Sequence, residues 1–114
     1  MSISTHVLDT ATGTPAVGLA YSLVRADPCS CDGSGAVLAA GVTDDDGRGP
    51  DLSGVAVPAG IYRMTFDTGG YQRTRGVDGF YPEAVVCFEV TDPAAHHHVP
   101  LILSPFGYST YRGS

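Results

Sequence analysis

Apolar and polar residues alternate along the chain in runs of roughly five to nine residues, and glycine and proline separate the runs. Gly18 to Arg25 is the clearest case: Leu19, Tyr21 and Leu23 fall on one face, and Ala20, Ser22 and Val24 on the other. A period of two is the mark of a strand with one buried face. The same reading predicts strands at Thr5 to Leu8, Ala36 to Val42, Ile61 to Phe66, Ala84 to Val90, His97 to Leu103 and Gly107 to Arg112. In Ala84 to Val90, the residues Val86, Phe88 and Val90 point inward and Glu89 outward. Asp32-Gly33, Asp46-Gly47 and Asp78-Gly79 offer residues that tolerate positive φ where strands reverse. Only Gly70 to Arg75 lacks the alternation, and it predicts a short helix on the outside. Short strands at regular spacing give an all-β, antiparallel two-sheet sandwich. With 114 residues and no linker or internal repeat, residues 1–114 form a single domain.

Composition removes several functions. Net charge is −6, every basic residue is Arg, and there is no Lys for a P-loop. An acidic chain with scattered arginines favours neither nucleic acid nor an anionic membrane, both of which need clustered positive charge. No apolar run approaches the roughly 20 residues that cross a bilayer. MSISTHVLDT has neither the basic nor the apolar region of a signal peptide. Three cysteines, an odd number, argue against a secreted disulfide framework. The expected compartment is the cytoplasm.

The polar candidates are few. His96-His97-His98 would place His96 and His98 on one strand face about 7 Å apart and His97 on the other. Two such rings could begin a metal site, but no Cys or His pair with zinc spacing completes it, so no metal and no cofactor are expected. Asp44-Asp45-Asp46-Gly47-Arg48 has the look of a calcium loop, yet the twelfth position is Val55 rather than Glu. It reads as an acidic turn, with Arg48 of interest only where it faces a pocket able to hold a carbonyl or anion. His6 is a lone histidine in the first strand. Cys29 and Cys31, in the loop from Asp27 to Gly35, have no basic neighbour to activate them. Tyr111 and Arg112 are unusual near a chain end, where frayed polar residues are the norm.

Several separated segments together carry a resemblance. Ser4-Thr5-His6-Val7-Leu8-Asp9-Thr10, followed by Gly13-Thr14-Pro15-Ala16, resembles the opening motif of the transthyretin-like proteins. Asp46-Gly47-Arg48 is similar to their central motif, and HHHVPLILSPFGYSTYRGS, from His96 to Ser114, to their final one. Ile61-Tyr62-Arg63 and Gly79-Phe80-Tyr81-Pro82-Glu83 fit between them. The ending Tyr-Arg-Gly-Ser resembles the 5-hydroxyisourate hydrolase branch, whereas vertebrate transthyretins lack it. His97, where Tyr is common, Gly49-Pro50 and the Cys-Ser-Cys loop depart from the pattern without touching a matched site residue.

The resemblance implies about eight strands, one short helix and a homotetramer, a dimer of dimers with sites in the channel between them. It implies cofactor-free hydrolysis of 5-hydroxyisourate to 2-oxo-4-hydroxy-4-carboxy-5-ureidoimidazoline in urate degradation. His6, Arg48, His98 and Ser114 are the implied catalytic residues, and Tyr111, Arg112 and Gly113 the implied substrate-binding ones. The chemistry is consistent. Histidines can take and give a proton near neutral pH, and a guanidinium can hold an oxyanion. Which histidine begins as base stays open. The alternative is a transthyretin-like small-molecule carrier that binds in the same channel without catalysis.

Overall fold

β1 (Ser2–Asp9) alternates as its sequence requires: Ile3, Thr5, Val7 and Asp9 are buried, and Ser4, His6 and Leu8 are half-buried on the opposite face. The computed structural model describes residues 2–26, 37–49 and 58–113. Cys29, Cys31, the Asp32-Gly33 turn and Ser114 lie outside these residues.

Seven further strands follow: β2 (Thr14–Pro15), β3 (Ala20–Arg25), β4 (Val37–Val42), β5 (Gly60–Phe66), β6 (Ala84–Val90), β7 (His96–Ser104) and β8 (Gly107–Thr110). One helix, α1 (Thr68–Thr74), lies between β5 and β6. The strands make two four-stranded sheets, ordered β2-β1-β7-β8 and β4-β3-β5-β6. Their inner faces share one core of Ile3, Val7, Leu19, Leu23, Tyr62, Met64, Phe66, Val90, Leu101 and Leu103. Burying both inner faces at once is what holds two such sheets together.

The expected antiparallel sandwich is present, with one exception inside it. β1 and β7 run parallel, with Ser4 aligned to His98 and His6 to Pro100. Among the described residues, the other strand pairs are antiparallel. The helix begins two residues earlier than its sequence suggested. The Asp67 carboxylate accepts from Gly70 N–H at 3.0 Å and caps the first turn. Asp78-Gly79 is not a strand reversal. The positive φ falls at Gly76 (68°), where α1 ends, and the Gly79 backbone instead packs against the Gln72 amide, leaving no space for a Cβ. Asp46-Gly47 is a turn, with Gly47 at φ 76°.

Candidate active site

The outer face of the β2-β1-β7-β8 sheet collects the polar residues of interest. His6 projects from β1 and His98 from the paired strand β7, offset by two residues because Ser4 is the residue aligned with His98. The loop from Thr43 to Gly49 brings in Arg48. Thr43 is buried at the loop's start; its hydroxyl donates to the Ala16 carbonyl (2.6 Å) and accepts from Leu19 N–H (2.9 Å). Asp44 then organises the turn, its Oδ1 accepting from the N–H groups of Asp46 (2.9 Å) and Arg48 (3.0 Å). Val7 N–H donates to the Gly47 carbonyl at 2.8 Å, and an antiparallel bridge pairs His6 with Arg48. A Cβ at Gly47 would lie 2.9 Å from the Pro15 side chain, and one at Gly49 2.7 Å from the Tyr21 hydroxyl. Glycine on each side therefore lets the loop lie flat on β1 and place Arg48 beside His6.

The histidines differ in their surroundings. The His6 Nε2–H donates to the Asp46 carbonyl at 2.9 Å, because a carbonyl can only accept, and this leaves Nδ1 for the site. His98 has its pKa lowered below the usual 6.5, first by burial and then by electrostatic interaction with Arg48, His6 and His96, with a backbone hydrogen bond at Ser4 acting the other way. His98 is thus held neutral near pH 7. His97 faces inward and donates from Nδ1 to the Ala95 carbonyl at 3.1 Å, which makes it part of the frame.

The stretch after β8 reaches the same place. Gly113 N–H donates to the His98 carbonyl at 2.9 Å, and the two residues form an isolated bridge. Tyr111 and Arg112, both exposed, line a cleft of about 340 Å³ together with His98, Val99, Phe88 and Glu89. His6 and Arg48 lie outside that cleft's lining, so His98 is the residue common to the cleft and to the His6–Arg48 cluster. Of the sequence-predicted site residues, His6, Arg48, His98 and Gly113 come together, Tyr111 and Arg112 adjoin through His98, and Ser114 is outside the described residues.

Two contributors escaped the sequence reading. Ser4 bonds the His98 ring, and Asp44 shapes the Arg48 loop. The signal for Ser4 is its spacing: two residues before His6, it must share that face of β1. Among the described residues no three His, Cys, Asp or Glu side chains gather as a metal ligand set. No described helix is long and apolar enough to cross a membrane.

The chain is similar to known proteins along nearly its whole length. Residues 3–113 match the HIUase/Transthyretin family. The chain is 44% identical to a mouse (Mus musculus) 5-hydroxyisourate hydrolase, over 98% of this chain and 94% of the relative. The structure of Klebsiella pneumoniae 5-hydroxyisourate hydrolase is similar over 100% of both chains, with a TM-score of 0.84 and 38% identity. Sea bream transthyretin in complex with thyroxine has a TM-score of 0.82 at 32% identity, over 97% of this chain and 93% of that one.

Proposed function

The chain belongs to the HIUase/Transthyretin family, and we propose that within it the protein is a hydrolase that opens 5-hydroxyisourate at a ring amide. The observation that carries this reading is the convergence of His6, Arg48 and His98 on one sheet face, with Gly113 bridged to His98. A site for binding alone does not need two histidines and a guanidinium facing one another.

The roles follow from the surroundings of each group. His98, kept neutral by burial and positive neighbours, takes a proton from water through Nε2 as the water oxygen attacks the amide carbonyl carbon. Arg48 holds the oxygen on which negative charge grows. His6, its Nε2–H held by Asp46, donates from a protonated Nδ1 to the departing ring nitrogen. The carbon–nitrogen bond breaks to leave an N–H and a carboxyl group whose proton goes to solvent, giving the carboxylate, and the proton held by His98 returns to Nδ1 of His6. Tyr111, Arg112 and Gly113 hold the substrate from the other side, and Ser114 adds a hydroxyl to the catalytic group. Residues 1–114 act as one domain. Four copies, paired as a dimer of dimers in the cytoplasm, complete the reading, and no nucleic acid, membrane, metal or cofactor takes part in it.

The test is ultraviolet decay of 5-hydroxyisourate generated in situ from urate, with and without the protein. Spontaneous decay sets the baseline, and a His6→Ala variant provides the control. We expect acceleration by the wild type and its loss in the variant. No acceleration by intact protein would favour the carrier reading. Sedimentation of the same sample should give four chains per particle.

A further inference from the structure

Ser4 stands between two imidazoles. Its Oγ is 2.8 Å from Nδ1 of His98 and 3.0 Å from Nε2 of His96. The parallel register creates this arrangement: Ser4 is aligned with His98, and His96 precedes His98 by two residues on the same face of β7. His96 is exposed and His98 half-buried. The three groups therefore form a line from solvent to the ring beside His6 and Arg48.

One hydroxyl carries one proton, so it cannot donate to both rings. Where Ser4 donates to Nε2 of His96, it accepts from Nδ1–H of His98, and a neutral His98 then has its lone pair on Nε2. Where Ser4 donates to Nδ1 of His98, it accepts from Nε2–H of His96, and a neutral His98 carries its proton on Nε2. The first arrangement makes His98 a base toward the site. The second blocks that role. The tautomers of the two rings are thus coupled through a single side chain.

We propose that Ser4 is a positioning residue and proton relay, which presents His98 as a base and shares its acquired charge with His96. The proposal rests on the hydrolase reading above. When His98 takes the water proton on Nε2, both its nitrogens are protonated. The Nδ1–H bond then breaks as a new O–H bond forms on Ser4, and the original Ser4 O–H breaks as N–H forms on Nε2 of His96. Positive charge leaves His98 and appears on the exposed ring. When the Nε2 proton of His98 later passes into the site, the reverse shift returns a proton to Nδ1, and all three groups end as they began.

Electrostatics supplies the reason for such a path. Charged His98 faces Arg48 from the loop, His6 from β1 and His96 on its own strand, all of which disfavour its positive form. Glu89 of β6 and Arg112 share the cleft that His98 lines. Moving the charge outward separates it from the Arg48 guanidinium.

The experiment pairs kinetics with nitrogen NMR of the imidazole rings. Ser4→Ala should lower kcat by about tenfold or more, with KM little changed, since general acid–base contributions run to roughly a hundredfold and beyond. Ser4→Thr, which keeps the hydroxyl, should restore most of that loss. His96→Gln can still bond Ser4 but cannot take its proton, so it should lower kcat similarly. The double variant should fall no further than either single one, because both break the same chain. Ring nitrogen shifts should place the His98 proton on Nδ1 in the wild type and move it toward Nε2 in Ser4→Ala. Wild-type kcat in Ser4→Ala or His96→Gln, or an unchanged His98 tautomer in Ser4→Ala, would overturn the relay. The NMR needs no substrate, so a wild type without hydrolase activity would sink the functional reading while the relay is still decided by the shifts.

Discussion

His98 couples both the chemistry and the stability of the fold to pH. Its pKa is lowered in the folded protein, chiefly by burial and then by Arg48, His6 and His96, while the unfolded chain keeps the ordinary 6.5. Between the two values the unfolded state binds more protons, so stability rises with pH through that window and is lost as pH falls below 6.5. The same ring must be neutral to act as base, so the acid limb of kcat/KM should lie below pH 6.5. A pH–rate profile measures the limb. Melting curves across the same range, compared with those of His98→Gln, isolate the stability part, and the variant should show a flatter slope. Gly113 makes a second residue-scale case. A Cβ there would lie 2.9 Å from Cγ and 3.0 Å from Cβ of His98. Gly113→Ala should therefore displace the ring from its place beside His6 and Arg48, lowering kcat by about tenfold or more with little change in melting temperature. His6, Arg48 and His98 were legible because the motifs around them are long. The contacts that Ser4 and Gly113 make with the His98 ring were not, because that ring's neighbours lie about a hundred residues away in β1 or on the stretch after β8.

Among the elements, α1 tests whether the outer helix belongs to the folding unit or merely decorates it. Tyr71 is buried on the helix and its hydroxyl donates to the Asp9 carboxylate of β1 at 2.8 Å. Burial and the Asp9 carboxylate push its pKa up to about 12. Arg75 covers the ring face at 4.7 Å from its centroid and donates to the Val17 carbonyl at 3.1 Å. Tyr71→Phe keeps the ring and its packing but removes a hydrogen bond to a charged group, at a cost of about 1.5–3 kcal/mol. Asp9 retains its bond from Ala11 N–H at 2.9 Å, so the loss should stay within that range. Denaturant unfolding measures it, and no loss would mean the helix contributes nothing through this contact. β1, β3, β5 and β6 were legible from period two, since each buries one face against the shared core, whereas β4 and β8, with no buried residue, were legible only as short runs between glycine and proline. β2 was missed because two residues carry no period, and the parallel β1–β7 pairing was missed because alternation fixes which face is buried and says nothing about the neighbour's direction.

At the scale of the whole molecule, charge opposes the proposed substrate. The chain carries −6, and an acidic oxidised purine must approach it to reach Arg48. Repulsion from the net charge acts over the width of the protein, whose longest extent is 38 Å. The attraction of Arg48 acts at contact, where little electrolyte intervenes. Salt separates the two. Going from about 0.01 M to 0.1 M shortens the screening length from about 30 Å to about 10 Å. That change removes most of the long-range repulsion and leaves the contact with Arg48 largely in place. kcat/KM should therefore rise with salt over this range while kcat stays constant, because only the encounter is altered. Arg48→Ala should keep the same upward slope from a much lower starting value, since it loses the contact and not the net field. A fall of kcat/KM with salt in the wild type would mean that the exposed Arg48 and Arg112 attract the substrate at a distance, against the sign of the molecule as a whole.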